Sequence, residues 1–397
     1  MPCFIKTSAT AILILLALSL CLTATAAPGD TVFPYAVSTQ ILLPEEATPV
    51  ATPPQTSAAS YALLDSASGT LIAEKDAHTR RPMASTTKIM TALVAIDLLS
   101  PEQIVTVPRE AVGIEGSSIY LFEGEQITVG TLLYGLMLSS ANDAATALAI
   151  CAAGSVEAFA ARMNEKAAAL GLTDTHFCNT HGLHHPDHYT TAHDLARLTA
   201  IALKNEAFAK IVATPRYSVP QMGTEASRLF LNHNRRLRTY EGCIGVKTGF
   251  TKTSGRCLVS AATREGLTLV AVTLNAPDDW RDHTALLDYG FSQYRAFSPS
   301  PVRLTLPVVG GNAQTVELLC SEIYRTTLPK NHAAITCTIE APRFLFGGFE
   351  QGAVKGRVLY RMGDQTLFEA PLLTNTAVAA ERHSASWLSR IKNIFEG

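Results

Sequence analysis

The segment at residues 88–99 most constrains how this chain folds, because it is almost wholly apolar and rich in good helix formers. A helix that is apolar nearly all round is normally buried in the centre of a sizeable domain. The pattern therefore predicts a buried helix that opens on a lysine, Lys88. A charge there is costly unless it serves a purpose. Ser85 lies three residues earlier and would share one face of the helix with Lys88.

The spacing of Ser85 and Lys88 suits nucleophilic catalysis. A serine hydroxyl is a weak nucleophile at neutral pH and needs a base within hydrogen-bond reach. A lysine acts as that base only when its ammonium form is destabilised by burial, by nearby positive charge or by a helix N-terminus. The alternative is an N-cap serine followed by a surface lysine, the commoner outcome for an isolated S-x-x-K. The apolar helix after Lys88 favours catalysis.

A second polar motif, Ser140-Ala141-Asn142, stands between two predicted helices. An apolar helix ends at Ser139 and Ser140, and the next helix begins beyond Asn142 with an acidic residue in its first turn. Such a joint can hold Ser140 and Asn142 against a cleft. The alternative is that these are ordinary helix-junction residues.

A third motif, Lys247-Thr248-Gly249, ends the first strand of a predicted β-hairpin that returns over residues 256–262. Gly249 permits close approach of another backbone. Lys247 supplies a fixed cation and Thr248 a hydroxyl, and both suit a substrate carboxylate. The alternative is an exposed strand end with a solvated lysine. The order and separation of all three motifs are much more specific than any one of them.

With these motifs the chain resembles the low-molecular-mass penicillin-binding proteins, specifically the serine-type D-alanyl-D-alanine carboxypeptidases. Residues 80–84 before the serine are similar to the family's approach to its nucleophile. Residues 177–196 resemble the loop that borders its cleft, and residues 275–291 also match its pattern. The resemblance spans roughly residues 58 to 375 and implies a β-lactamase/transpeptidase-like domain.

The resemblance implies a catalytic role for three residues. Ser85 would attack the carbonyl of the penultimate D-alanine in a peptidoglycan stem peptide, and Lys88 would take its proton. The terminal D-alanine would leave with a proton relayed through Lys88 and Ser140, and water would then hydrolyse the acyl-enzyme. β-Lactams, which mimic the D-Ala-D-Ala end, would trap Ser85 as a stable ester and act as inhibitors.

The resemblance also implies a substrate-binding set. Lys247 and Thr248 would hold the terminal carboxylate, and Asn142 would hydrogen-bond the peptide backbone. Gly249 and Phe250 follow on the same strand, and the backbone N–H of Phe250 would form the oxyanion hole with that of the nucleophile. Some relatives have histidine at the position of Phe250, a change that a backbone donor tolerates. No cofactor or metal is implied.

The two ends of the chain predict an extracytoplasmic protein. Residues 1–26 have the pattern of a secretory signal peptide with a small-residue cleavage site, and residues 27–57 form a Pro/Thr-rich linker. Residues 376–397 predict an amphipathic helix that associates with a membrane surface. Its apolar positions, here called the terminal stripe, are Trp387, Leu388, Ile391, Ile394 and Phe395. The alternative is that this stripe packs on the protein's own C-terminal domain.

Between these ends the pattern predicts an α/β (α+β) architecture with two domains. Residues 58–297 alternate strands and helices, which suits an antiparallel sheet flanked by helices, and residues 298–375 form a small all-β domain. The chain has 397 residues, enough for two cores, and a net charge of −2 that does not indicate nucleic-acid binding.

Cysteines and histidines carry weaker signals. After removal of the signal peptide six cysteines remain without metal-site spacing. Buried thiols are favoured, although a Cys243–Cys257 or Cys320–Cys337 bridge stays open. The four histidines at positions 181, 184, 185 and 188 occupy one polar loop, for which solvation is favoured over a zinc site.

Three functional hypotheses follow. The favoured one is a carboxypeptidase that trims the terminal D-alanine, limits cross-linking of the wall and so acts in cell-wall biogenesis and cell shape. A class A-like β-lactamase is disfavoured, because the second motif is Ser-Ala-Asn rather than Ser-Asp-Asn and no Glu-x-x-Leu-Asn segment follows. A catalytically silent wall-binding protein is the third hypothesis.

Overall fold

The computed structural model describes residues 35–42, 50–223 and 226–381, with backbone only for 35–40 and 42. The predicted signal peptide and the terminal stripe lie outside these residues. The chain divides into two compact units. One consists of Leu43–Ser300 and Ile323–Ala334, and the other of Met1–Leu42, Pro301–Glu322 and Ile335–Gly397.

The described strands are numbered along the chain. They are β1 (Tyr35–Leu42), β2 (Ser60–Asp65), β3 (Leu71–Lys75), β4 (Ile104–Thr106), β5 (Gln126–Thr128), β6 (Arg216–Pro220), β7 (Ser227–Leu231), β8 (Cys243–Thr251), β9 (Gly255–Arg264), β10 (Leu267–Leu274), β11 (Tyr294–Phe297), β12 (Arg303–Val309), β13 (Thr315–Leu319), β14 (Thr326–Pro329), β15 (Ile335–Pro342), β16 (Leu345–Phe346), β17 (Val354–Met362) and β18 (Gln365–Thr374).

The described helices are numbered in the same way. They are α1 (Lys88–Leu98), α2 (Val129–Leu138), α3 (Asn142–Ala153), α4 (Val156–Ala169), α5 (Ala192–Ala202), α6 (Glu206–Val212), α7 (Arg236–Thr239) and α8 (Asp279–Gln293), with 3₁₀ turns at Ala84–Thr87 and Arg109–Ala111. Among the described residues no single helix has the length and hydropathy of a membrane span, although α3 and α4, bent by 83°, pass that test together.

The first unit is built on a five-stranded antiparallel sheet in the order β3-β2-β10-β9-β8. Its three central strands, β2, β10 and β9, are almost continuously buried because helices cover both faces of the sheet. Ala62 and Leu64 face the core shared with α1, whereas Leu63 faces the core shared with α8. The predicted antiparallel sheet flanked by helices is confirmed.

Helix α1 lies at the centre of this unit. Every residue from Lys88 to Ala95 is buried, and the helix packs against α2, α3, α4 and α5. Its burial follows from its apolar composition on all sides, as predicted. Because Lys88 is its first residue, the lysine is buried with it.

The second unit is a seven-stranded sheet in the order β1-β15-β17-β18-β13-β12-β16. Its strands pair antiparallel except for β12 and β16, which are parallel. This unit supplies the C-terminal β domain that the sequence pattern predicts.

Three predicted boundaries differ from the structure. Part of the predicted linker forms β1, which pairs with β15 along its whole length, because its β-branched and aromatic residues favour a strand. Residues 326–329 pair with 294–297 inside the first unit, a contact between distant segments that local pattern does not reveal. The described start of the predicted terminal helix is extended, with Val378 and Ala380 in β-bridges.

The six described cysteines are free thiols, and Cys257, Cys320 and Cys337 are buried. Strand register explains why Cys243 and Cys257 do not meet. Cys243 lies opposite Ala262, whereas Cys257 lies opposite Gly249.

Candidate active site

The predicted nucleophile and base meet at the start of α1. Ser85 lies in the 3₁₀ turn that leads into the helix, and Lys88 is the first helical residue. Lys88 Nζ is 3.0 Å from Ser85 Oγ. The three-residue spacing therefore places both side chains on one face, as predicted.

The environment of Lys88 favours the neutral amine. Burial, and then the positive charge of Lys247, lower the pKa of Lys88 well below its usual range, and Asp143 opposes this only in part. Lys88 Nζ donates to Asn142 Oδ1 at 2.7 Å and to the main-chain oxygen of His181 at 2.7 Å. Three acceptors, including Ser85 Oγ, thus surround the lysine nitrogen.

These contacts orient the nitrogen lone pair. The His181 carbonyl can only accept hydrogen bonds, and the Asn142 oxygen is identified by its Nδ2, which donates to Glu115 O at 2.5 Å. A neutral amine has two N–H groups, which these two oxygens satisfy. With both N–H groups used in this way, the lone pair of the neutral amine is left to accept the proton of the Ser85 hydroxyl, as a general base would.

The second motif lies at the joint between α2 and α3. Ser140 has a positive φ of 60° and is buried at the cleft, and Asn142 begins α3. The buried carboxylate of Asp143 accepts from the N–H groups of Ile119 and Leu121. This anchors the loop whose carbonyls at positions 115 and 117 accept from Asn142. The predicted joint therefore holds Ser140 at the cleft and Asn142 beside the base.

The third motif lies on β8, the edge strand of the sheet. Lys247 is buried, and burial lowers its pKa to about 7. Its Nζ donates to the carbonyl of Thr248 at 2.9 Å. A Cβ atom on Gly249 would stand 3.0 Å from the backbone nitrogen of Ser85, so a larger residue here would press on the turn that carries Ser85. The close approach expected from the sequence thus occurs at the nucleophile itself.

The loop at residues 177–188 corrects one prediction. His184 and His185 are exposed, but His188 is buried and His181 is half-buried, so the loop is not solvated throughout. Burial lowers the pKa of His181 to about 4 and that of His188 to about 3. The physical reason is packing against the turn that carries the nucleophile. Among the described residues no cluster of His, Cys, Asp and Glu is arranged to hold a metal.

His188 connects this loop to the nucleophile turn. Its Nδ1 accepts from the backbone N–H of Cys178 at 3.0 Å, so the proton of the neutral ring is on Nε2. Nε2 lies 2.7 Å from Thr87 Oγ1, and the Thr87 hydroxyl donates to Ala84 O at 2.8 Å. Ala84 has a positive φ of 48°, a strained conformation that this chain of hydrogen bonds supports.

Gly182 brings the loop close enough to make these contacts. It has a φ of 91°, and a Cβ atom there would lie 1.9 Å from Ala84 O. Only glycine fits such a position without moving the backbone. Gly182 and His188 both lie in the loop noted from the sequence, but their roles were not predicted, because those roles depend on contact with a turn about 100 residues earlier.

The cleft has a volume of about 350 Å³. The sequence-predicted residues on its surface are Ser85, Ser140, Thr248, Gly249 and Phe250. The remaining predicted residues, Lys88, Asn142 and Lys247, are buried next to it. A larger cavity of about 510 Å³ lies elsewhere in the same unit, but it contains none of the three motifs.

Sequence reasoning missed part of the cleft wall. His233, Arg256 and Trp280 also line it. Arg256 donates to the buried Asp279 at 2.8 Å, and the Arg235 guanidinium lies 4.7 Å from the centre of the Trp280 ring. Arg235, Arg256 and Trp280 are visible in the sequence, but their spacing does not predict that they lie together at the cleft.

Residues 47–278 match the family model Peptidase_S11, described as D-alanyl-D-alanine carboxypeptidase, and this range contains all three motifs. The chain belongs to this family. It is 30% identical to D-alanyl-D-alanine carboxypeptidase DacF of Bacillus subtilis, over 79% of this chain and 84% of the relative. It is 37% identical to the D-alanyl-D-alanine carboxypeptidase of a Streptomyces species, over 62% of this chain and 91% of the relative.

Solved structures agree with this assignment. Penicillin-binding protein 5 from Haemophilus influenzae superposes with a TM-score of 0.67 at 27% identity, covering 83% of this chain and 99% of that one. The Streptomyces K15 DD-transpeptidase superposes with a TM-score of 0.58 at 36% identity, covering 61% and 100%. The predicted family and enzyme class are confirmed: the protein is a serine-type D-Ala-D-Ala carboxypeptidase of the penicillin-binding class.

Proposed function

We propose that Ser85 is the nucleophile with which this enzyme removes the terminal D-alanine from peptidoglycan stem peptides. The observation that carries the proposal is the environment of Lys88, a buried amine with a lowered pKa, 3.0 Å from Ser85 Oγ. When both N–H groups of the neutral amine donate to other oxygens, its lone pair is available to take the proton of the Ser85 hydroxyl.

Acylation begins when Lys88 takes the Ser85 proton and Ser85 Oγ bonds to the carbonyl carbon of the penultimate D-alanine. The backbone N–H groups of Ser85 and Phe250 form the oxyanion hole. The close approach of Gly249 to the Ser85 nitrogen supports this pairing, because it brings β8 beside that amide. Each such donor contributes roughly 3 kcal/mol of transition-state stabilisation.

The leaving group needs a proton when the C–N bond breaks. Lys88, now an ammonium, returns its proton through the Ser140 hydroxyl to the amine of the departing D-alanine. Ser85 and Ser140 line the same cleft, which supports this relay. Water then attacks the ester carbon while Lys88 takes a proton from it, the C–O bond to Ser85 breaks, and Lys88 passes that proton to Ser85 Oγ, which restores the hydroxyl and the neutral amine.

The substrate carboxylate binds at Lys247 and Thr248. Burial lowers the pKa of Lys247 to about 7 and so disfavours its charged form. A bound carboxylate favours the protonated, charged lysine again. Asn142 serves both base and substrate. Its Oδ1 accepts from Lys88 and has a second lone pair for a backbone N–H of the stem peptide.

The mature chain, from about Ala27, acts outside the cytoplasmic membrane on peptidoglycan, in cell-wall maturation and cell shape. The signal-peptide pattern of residues 1–26 supports this location. The unit that contains the cleft is the catalytic domain, and the terminal stripe associates with the membrane surface. The basic residues between its apolar positions support that association.

The test is the intact mass of the purified mature protein after brief incubation with penicillin, beside a Ser85→Ala variant. We expect an added mass of one β-lactam that is absent from the variant and is lost slowly. Rapid loss with hydrolysis of the drug would favour the β-lactamase hypothesis. Absence of both adduct and release of D-alanine from a D-Ala-D-Ala peptide would favour the silent wall-binding protein.

A further inference from the structure

One end of the β unit carries a cluster of exposed apolar side chains, here called the apolar tip. It consists of Val309, Phe344, Phe346 and Val354, which are 48%, 40%, 69% and 61% exposed. Single exposed apolar residues are ordinary, but a contiguous group marks a surface that meets another apolar phase.

A ring contact and strand pairing join three of the four side chains of the apolar tip. The rings of Phe344 and Phe346 are 5.3 Å apart in an edge-to-face arrangement, and Phe346 lies opposite Val309 in the pairing of β16 with β12. Val354 begins β17 at the end of the sheet where β15 finishes, because Arg357 lies opposite Glu340 in this antiparallel pair. Val309, Phe344 and Phe346 therefore form one group, and Val354 lies three strands away from β12 at the start of β17.

The charges around the tip are balanced. Arg343 adjoins Phe344, and Lys355 Nζ lies 5.6 Å from the centre of the Phe349 ring. Glu350 and Glu381 are exposed at the same end. Two positive and two negative groups leave little net attraction for an ion, so the apolar surface dominates what this end can bind.

The chain leaves the β unit at the apolar tip. The backbone N–H of Glu381 donates to Gly310 O at 2.8 Å, and Ala380 forms a β-bridge with Gly311. The segment that contains the terminal stripe therefore starts next to Val309. An apolar phase that binds the terminal stripe would therefore also lie close to the apolar tip.

We propose that the apolar tip inserts into a phospholipid bilayer beside the terminal stripe, so that the β unit contacts the membrane at two points. This inference rests on the membrane association proposed above for the stripe. The Phe346 side chain is 69% exposed, so its ring is accessible to the interfacial region of a bilayer, where exposed apolar side chains lose contact with water.

The experiment is co-sedimentation of the full mature chain with vesicles of phosphatidylcholine and phosphatidylglycerol in equal parts. Phe344→Ser/Phe346→Ser is expected to lower the partition coefficient by about tenfold or more, since two aromatic side chains lose their apolar burial. The loss is expected to be the same at low and high salt. Ile391→Glu/Phe395→Glu in the terminal stripe reports separately on the proposed helix contact.

Matched variants make the result specific. Leu229→Ser/Leu231→Ser changes two similarly exposed apolar residues on β7, at 50% and 52% exposure, and is expected to leave partitioning unchanged. Phe344→Leu/Phe346→Leu keeps the tip apolar and is expected to retain most of the binding. Stoichiometric labelling by penicillin shows that the unit with the cleft is folded in each variant, and an unchanged far-UV circular dichroism spectrum shows that the β unit is folded.

Two results would overturn the inference and leave the stripe contact standing. One is a tip variant that partitions like the parent while the stripe variant loses binding. The other is a tip variant that partitions more strongly, which means that the tip covers the terminal stripe of its own chain. If the parent does not sediment with vesicles at all, the membrane association proposed for the stripe fails, and the inference fails with it.

Discussion

Each of the two walls of the cleft buries a lysine, but the hydrogen-bond partners of the two side-chain nitrogens differ. On the helical wall Lys88 Nζ has three oxygen acceptors, one of them the nucleophile. On the strand wall the hydrogen bond described for Lys247 Nζ goes to the neighbouring carbonyl of Thr248. Burial is the largest cause of the lowered pKa at both lysines, yet only Lys88 is further depressed by the charge of the other.

This difference suits Lys88 to the proposed role of base and Lys247 to the proposed role of anion-binding cation. Lys88 lies among acceptors that fix the direction of its lone pair, so it is suited to take a proton from one hydroxyl. Lys247 has fewer protein partners and so retains hydrogen-bonding capacity for a ligand carboxylate. Because the charge of Lys247 lowers the pKa of Lys88, the cation on one wall also helps to keep the base neutral on the other.

The largest effect is expected from replacing Lys88, the proposed base. Lys88→Met keeps an apolar stem of similar size but has no proton acceptor, and we expect the rate of acylation by penicillin to fall about 1,000-fold. Acylation is followed by intact mass over time, with the exposed Lys204→Met as the matched control. Acylation of Lys88→Met within tenfold of the parent rate would show that Lys88 is not the base.

Removing the cation tests the other wall. Lys247→Met is expected to lower kcat/KM for a peptide that ends in a free D-alanine carboxylate by about 100-fold, the worth of one charged hydrogen bond. The same peptide with a terminal amide lacks the anion and should lose far less. Release of D-alanine from the acid and of D-alaninamide from the amide are measured side by side. Equal losses for the two peptides would contradict the assignment of Lys247 to the carboxylate.

The pH dependence sharpens the comparison. Carboxylate binding needs Lys247 protonated, so kcat/KM is expected to fall as pH rises above its pKa of about 7. In Lys247→Arg the guanidinium keeps its proton, and the fall should move to higher pH. The measurement is kcat/KM against pH for both proteins. An identical basic limb in parent and variant would assign that limb to another group.

The smallest expected effect concerns the hydrogen bonds behind the nucleophile. His188→Ala removes the contact to Thr87 and should slow acylation about tenfold, since donor and acceptor are left buried without partners. His188→Gln can both donate to Thr87 and accept from the Cys178 N–H, and should restore most of the rate. Because His188 has a pKa of about 3, the pH profile should keep its shape in both variants. An Ala variant that acylates at the parent rate would remove His188 from the positioning of Ser85.

Much of this architecture was predictable from the sequence. The features that were not predicted all depend on contacts between residues far apart in the chain. The buried helix after Ser85, the joint at Ser140 and the hairpin at Lys247 follow from local apolar patterns and from turn residues. The pairing of β1 with β15 joins residues roughly 300 positions apart, and the β11–β14 pairing is also non-local. The burial of His188 depends on a contact across 101 positions. Local periodicity carries no information about such contacts.

The amino-acid sequence by itself determined the groups proposed to react: a serine, a lysine three residues later, and the polar residues of two further motifs in the order that is typical of the family. Only the tertiary structure decided that Lys88 is surrounded by the Asn142 side chain and the His181 carbonyl. The physical reason is that every residue has a main-chain carbonyl, so the residue type at position 181 does not predict that its carbonyl contacts Lys88. Its place beside the base arises from the folding of a loop that lies 93 residues further along the chain.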